Sequence, residues 1–470
     1  MKNGQTPRPV VGLLSLTLEL YETLAPSLCA EREAWVRREV LPALAQIADV
    51  RFNRAICRRE HVDLAVADFE TQGVDALLVI FMSYSPSQIT LPALTRTALP
   101  VLVWNTQELY AIGHEFGSKE LTANHGVHGT QDLCNVLLRS GVPFEYVTSH
   151  IRDGDALKTI EGFFVAAAAI RRLFHGRIGI IGYPFPGMGD FALDTTHLAA
   201  TLGCQWINLP MDDYIKRSLG ANPQVVGDLV EQYRVLYEVA ADVTGEELDA
   251  TARVEIALRG MVEDNRLNAL TYQFMAFGED ERTQTTPFVA MSRLLSEGIG
   301  FGGEGDFISA AGTTLLHWIN PPASFSEIFT IDFDGNSVLM SHMGEANVGM
   351  ARTDRKVDMA ARRAPVTRTR HRQIELVTVF QPGCATLFAL TLGLGGQWLI
   401  IATFGSILDF GPLDGLPAPH FKFAPSCNVR DFLTAYAKAG GPHHNAVCFG
   451  DARERLKIAA RLMDAKYVEI

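Results

Sequence analysis

The sequence predicts an α/β protein: two doubly wound α/β domains followed by a C-terminal domain with an antiparallel β-barrel. Three observations carry that expectation. Short apolar runs of strand length alternate with helix-like stretches through the first third of the chain. The alternation restarts near Arg177, after an Ala-rich helical stretch. From about Ala323 the texture changes to strands at short spacing with turn residues between them. Buried strands separated by helices indicate a parallel sheet, and closely spaced strands with Gly and Asn turns indicate antiparallel β structure. The expected domains are residues 1–173, 174–320 and 321–470.

Val10–Leu16, Val74–Met82 and Leu99–Val103 are the first strands, with a helix over Cys29–Ile47. Polar residues follow two of them, Ser83-Tyr84-Ser85 and Asn105-Thr106-Gln107. Ligands of open α/β sheets bind beyond the carboxyl ends of strands, so these are pocket candidates. Asn124–Gly129 is a Gly-punctuated loop entering a helix over Thr130–Arg139. Its His125 and His128 either face a ligand at the helix N-terminus or are structural. The second unit reads as a helix Gly162–Phe174, a strand Arg177–Gly182 and a loop Tyr183–Asp190. Helices over Val225–Asp242 and Glu246–Asn265 follow, then a strand Ala269–Phe274 and a helix Phe288–Glu297. The β-rich region holds Ile328–Phe333, Val338–His342, Ile374–Phe380, Ala385–Thr391 and Trp398–Phe404. Asp334-Gly335-Asn336 and Gly393–Gly396 are its turns. A helix Ala452–Asp464 and a strand Tyr467–Ile470 end the chain.

With 47 % apolar and 20 % charged residues, the 470-residue chain has an ordinary globular composition. Its net charge of −12 lacks the signature of a nucleic-acid binder. Arg362–Arg372 is the dense basic run, a solvated loop or an anion site. The 7 cysteines are scattered without a CxxC pair, which fits a reducing compartment. The apolar run Val10–Leu18 is short and closed by Glu19 and Glu22, neither a signal peptide nor a span of ~20 residues. The expectation is a cytoplasmic protein with no membrane partner.

Gly300–Asp306 (GFGGEGD) formally satisfies GxGxxG. The segment before it reads as a helix, and a carboxylate inside the loop would repel phosphate, so dinucleotide binding is set aside. The glycines instead permit close backbone approach around Glu304. Glu327 lies just before a strand, His342 lies in the next strand past the hairpin turn, and His443-His444 sits in a Gly-Pro turn. Two carboxylates and two imidazoles make a mixed O/N set suited to Mn²⁺ or Co²⁺. On spacing alone, surface carboxylates and structural histidines remain the alternative.

Taken together, these stretches resemble the L-arabinose isomerase and L-fucose isomerase superfamily over most of the chain. Gly298–Ala311 (GIGFGGEGDFISAA) is close to that family's GYGFGGEGDWKTAA segment. Ser85-Pro86, Asn105-Thr106-Gln107, Asn124 with His128-Gly129, Val147–Asp153, Ser341–Glu345 and Gly440–His444 match further family segments in the same order. The resemblance implies two α/β domains, a β-barrel domain and a divalent ion, commonly Mn²⁺. It also implies a homo-oligomer, trimer or hexamer, with shared active sites. The implied metal ligands are Glu304, Glu327, His342 and His444, with His444 chosen over His443. Glu304 and Glu327 are the implied acid and base. His128 and Phe277 are implied to meet substrate.

The resemblance further implies an aldose–ketose isomerase acting on a pentose, deoxyhexose or related sugar through a cis-enediolate. Such chemistry needs a base beside the carbonyl and a cation to hold developing charge. Epimerisation of a ketose or sugar acid, or non-catalytic sugar binding, are the alternatives on this scaffold. Thr17–Tyr21 departs from the family's Ser-Gln-His-Leu-Tyr, placing Leu18 where a substrate-binding amide stands, and His125 replaces a glutamine. The sugar-recognition residues are therefore expected to serve a sugar other than L-arabinose.

Overall fold

A computed structural model describes residues 8–363 and 369–470. The fold is mixed α/β, with parallel sheets first and a closed antiparallel barrel in the C-terminal region. The chain divides into two compact units, Pro7–Arg171 and a second spanning Arg172–Ile470.

The first unit is built on β1 (Val10–Leu16), β2 (Asp49–Arg51), β3 (Ala55–Ile56), β4 (Ala76–Phe81), β5 (Val101–Asn105) and β6 (Glu145–Thr148). All pairings are parallel, in the order β2-β1-β4-β5-β6, with β3 also on β1. The central strands are buried on both faces, which explains their near-continuous apolar sequence. The chain leaves β1 toward β2 and returns to β4 on the other side, so the carboxyl ends of β1 and β4 form the switch-point crevice. The helix expected from Thr130 begins at Gly126, putting His128 in its first turn. Glycines disguised that start by their low helix propensity. Gly129 is there for packing, since a Cβ would sit 2.2 Å from the Phe81 ring.

The second unit opens with β7 (Arg177–Ile181), β8 (Gln205–Leu209), β9 (Glu238–Val239), β10 (Ala269–Tyr272) and β11 (Gly300–Gly302). Four of them form a parallel sheet in the order β11-β10-β7-β8. The helix expected over Val225–Asp242 ends at Leu236. Tyr237 turns to extended backbone, and β9 pairs with a later strand, a tertiary contact that overrides local propensity.

The remaining strands are β12 (Ala323–Asp332), β13 (Ser337–Ser341), β14 (Asp358–Arg362), β15 (Gln373–Val377), β16 (Gly383–Leu392), β17 (Trp398–Ile407), β18 (His420–Pro425), β19 (His444–Phe449) and β20 (Lys466–Glu469). The order β16-β19-β12-β13-β18-β17 closes by pairing of β17 with β16, an antiparallel barrel with β20 added in parallel outside β17. β14, β15 and β9 form a separate small sheet. The helix Phe307–Ile319 packs on β11, β12, β16 and β19 and is almost wholly buried. The barrel core gathers Val338, Met340, Leu387, Ile401, Phe421 and Phe423. Of the basic run, residues 364–368 lie outside the described residues, while Arg362 and Arg372 engage Glu375 and Glu247. Among the described residues, no helix is long and apolar enough to cross a membrane. All 7 cysteines are free.

Candidate metal centre

The barrel register assembles the site. Glu327 on β12 stands opposite Ser341 of β13 on one side and His444 of β19 on the other. His342 follows Ser341 directly, so both imidazoles flank one carboxylate. His443 lies in the bend before β19, as expected, but His444 opens the strand, because the register pairs it with Glu327. A bulge between Ile328 and Thr330 interrupts the ladder just beyond the site, and pairing resumes from Thr330 to Asp332.

Glu304 arrives from the parallel sheet. It sits between β11 and the helix Phe307–Ile319 with φ of 58°, in the left-handed region. That conformation costs an L-residue roughly 1–2 kcal/mol and is held by the surrounding turn. Gly303 is required by close approach: a Cβ there would lie 2.9 Å from His342 Nε2 and 3.1 Å from Phe325 Cζ. The Phe185 amide donates to the Glu304 carbonyl at 2.9 Å, tying the loop after β7 to the same turn.

Glu304, Glu327, His443 and His444 each present a ligand atom, all within 4.8 Å of one another, a group able to hold a metal ion. His444 Nε2 lies 2.8 Å from Glu327 Oε1 and 3.7 Å from Glu304 Oε2. His443 Nε2 is 3.8 Å from Glu304 Oε2 and 3.9 Å from Glu327 Oε1. His342 Nε2 is 4.0 Å from Glu327 Oε1.

Each imidazole is oriented by a carboxylate on its other nitrogen. Asp306 accepts from His444 Nδ1 at 2.8 Å, Glu345 from His342 Nδ1 at 2.6 Å and Asp190 from His443 Nδ1 at 2.5 Å. That pattern turns each Nε2 toward the centre. Asp306 also caps the helix Phe307–Ile319, accepting from the Ser309 amide at 2.9 Å. The Tyr272 hydroxyl donates to Glu345 at 2.5 Å. Phe191 stacks on His444 at 5.5 Å, and Phe325 meets His444 and His342 edge-on at 4.9 and 4.7 Å.

The electrostatics match the packing. Burial works to raise the Glu327 carboxyl, but the three histidines outweigh it and hold Glu327 below its usual value. Burial opposes charge on His444, yet Asp306 and Glu327 push it up to about 10. Glu304 and Asp190 raise His443 against its partial burial. Glu375 is pushed up to about 8 by burial, with Arg362 opposing the rise. Two buried atoms, Glu304 Oε2 and His444 Nε2, make no hydrogen bond. Orphaned buried donors and acceptors cost ~1–3 kcal/mol each, and a cation satisfies both at once. The donor set of carboxylate oxygens and imidazole nitrogens fits a divalent ion of the Mn²⁺ or Co²⁺ type.

The structure thus brings Glu304, Glu327 and His444 together, with His342 beside them, its Nε2 4.0 Å from Glu327 and outside the converging group. His443 joins them, although the sequence reading passed it over. Asp190, Phe191, Asp306 and Glu345 were also missed as site residues. The only signal for Asp306 and Glu345 was their place inside the GEGD and HMGE stretches. Phe277 is fully buried, with Tyr214 and Tyr272 edge-on at 5.2 and 5.3 Å.

Leu18, His125 and His128 belong to the first unit. There the His125 ring stacks on Tyr84 at 6.2 Å, meets His128 at 5.8 Å and lies 3.2 Å from the Tyr21 hydroxyl. Thr17 and Ser83, at the ends of β1 and β4, share a 2.9 Å hydrogen bond. Ser15, Ser85 and Thr106 keep buried hydroxyls without partners nearby in the fold, at the ends of β1, β4 and β5.

Residues 180–320 match the L-arabinose isomerase central domain and residues 322–466 the L-arabinose isomerase C-terminal domain. The L-arabinose isomerase of Acidothermus cellulolyticus is 25 % identical over 427 residues, 85 % of this chain and 82 % of that protein. L-arabinose isomerase 1 of Bacillus licheniformis is 24 % identical, covering 80 % of this chain and 76 % of its own length. That of a Nocardioides species is 25 % identical, over 82 % of this chain and 78 % of its own. The chain belongs to the L-arabinose isomerase family.

Proposed function

We propose that this protein is a divalent-metal-dependent aldose–ketose isomerase acting on a pentose, deoxyhexose or related sugar. The observation that carries the reading is the pair Glu304 and Glu327, set against imidazoles whose free nitrogens face them. Family membership supports an intramolecular oxidoreductase. Glu304, Glu327, His342 and His444 are the residues assigned to the ion. His342 is assigned over His443 because its side chain is 8 % exposed and that of His443 is 40 % exposed. His443 then stands on the open side, where a ligand arrives.

When bound, Mn²⁺ supplies a Lewis acid that polarises a carbonyl and stabilises charge on neighbouring oxygens. The chain's own work is proton transfer. One of Glu304 and Glu327 takes a proton from the carbon beside the sugar carbonyl and a carboxyl returns one to the former carbonyl carbon, while the hydroxyl proton of the first carbon passes to the former carbonyl oxygen. Asp306, Glu345 and Asp190 keep the imidazoles in one tautomer throughout. Phe191 and Phe325 cover the His444 ring and limit water there.

The test is an aldose panel with Mn²⁺ in D₂O. Ketose carrying deuterium at the carbon that receives the proton is expected for at least one sugar other than L-arabinose. No ketose and no exchange across a broad panel would overturn the reading. Metal content after dialysis checks the site itself: about one divalent ion per chain, lost in Glu327→Ala.

We also propose a cytoplasmic homo-oligomer, trimer or hexamer, whose subunits share sites. His128→Ala and Glu304→Ala chains, each inactive alone, are expected to regain activity when mixed into one oligomer. No recovery in verified mixed oligomers contradicts sharing.

A further inference from the structure

Behind His342, on its Nδ1 side, a second set of charged groups is buried. Glu345 receives both the His342 ring and the Tyr272 hydroxyl. Glu375, on β15, is fully buried, and after burial itself the nearby charge of Glu345 adds to the rise of its carboxyl. Arg362, the last residue of β14, reaches in from the surface with its side chain 25 % exposed. Its Nε donates to Glu375 Oε1 at 2.8 Å, and its Nη2 donates to the Met343 carbonyl at 2.7 Å. One guanidinium therefore joins β15 to the residue directly after His342.

The turn it grips is buried apart from Met343, with Gly344 close against the Phe288 ring. Met343 is exposed, and Gly344 offers no side chain. Ser292, on the helix Phe288–Ser296, holds the Gly344 carbonyl and the Ala346 amide from one side. Arg362 holds Met343 from the other.

Resting on the metal reading above, we infer that Arg362 is a positioning residue of the metal centre. It pins the His342–Glu345 turn to Glu375 and so sets the affinity for the cation. A lysine cannot replace it, because a point ammonium does not span two acceptors as a planar fork does. Partners of metal ligands typically control ~10–100-fold in metal affinity.

The test uses the full chain, stripped of metal, and titrates Mn²⁺ by electron paramagnetic resonance. Arg362→Met and Glu375→Leu are each expected to weaken Mn²⁺ binding by about tenfold. Because both release the same pin, the double variant should lose about tenfold as well, not about a hundredfold. Arg362→Lys is expected to weaken binding too, and it decides the matter if Arg362→Met does not fold. A purely structural role would lower the unfolding temperature and leave the Mn²⁺ dissociation constant unchanged. Tight binding by wild type together with unchanged affinity in the Arg362 variants would overturn this inference alone. A wild-type chain that binds no Mn²⁺ would overturn the metal reading and this inference with it. Additive losses in the double variant would also overturn the shared pin.

Discussion

Asp306 carries two jobs with two oxygens: one caps a helix and the other orients His444. Asparagine caps a helix nearly as well as aspartate but offers no anion to an imidazole N–H. Asp306→Asn is therefore expected to leave the unfolding temperature nearly unchanged while Mn²⁺ affinity falls ~10–100-fold. Calorimetric titration beside a thermal melt checks this, and a collapse of the melt with affinity intact would reverse the assignment. The sequence displayed the chemistry of Glu304, Glu327, His342 and His444, because carboxylates among glycines and histidines beside turns are visible without coordinates. It did not display Asp190 or Phe191. They lie in an irregular loop more than 250 residues before the histidines they meet, His443 and His444, and no local pattern carries that contact.

At the level of elements, the turn Gly302–Gly305 is the tightest constraint on the centre. Gly303→Ala would force a methyl against His342 Nε2 and the Phe325 ring. Overpacking of this kind costs ~1–3 kcal/mol, and here the imidazole must move as well. The expected outcome is a lower urea midpoint and loss of retained metal after dialysis. Full metal retention would show that the ring has room to yield. The strands of the parallel sheets were legible because burial on both faces writes a continuous apolar run. The ends of helices were less so. The helix to Leu236 stops where β9 finds β14, a pairing with residues over 100 positions away that no local pattern carries. β18 and β19 were likewise unread: their mixed polar and apolar residues make sense only as rungs between β13, β17, β12 and β16.

For the molecule as a whole, an ion pair between distant segments ties the second unit together. Arg372, just before β15, donates to both oxygens of Glu247, in the first turn of the helix Gly245–Asp264. Arg372 holds the Glu247 carboxyl down to about 2, against 4.5 for the free group. A carboxyl lowered on folding stabilises above the unfolded value and loses that contribution as pH falls toward the folded one. Arg372→Met should thus lower the unfolding temperature at pH 7, and the gap to wild type should narrow between pH 4.5 and about 2. A gap that stays constant across that window would mean the pair contributes through packing alone. The fold class was legible from the order and spacing of its segments, and the Gly393–Gly396 turn already set β17 beside β16; the pairings of β18 and β19 that complete the closed barrel were not legible. That closure has a consequence for how the chain comes into being. Glu327 waits between a neighbour 14 residues onward and another 117 residues onward, so nascent protein holds half a claw until His444, among the last 27 residues, emerges. Contacts of such long reach are made late, after the entropy of a large loop has been overcome. A cation that fits the finished grip has nothing comparable to hold earlier, so it favours the complete chain over every truncated one.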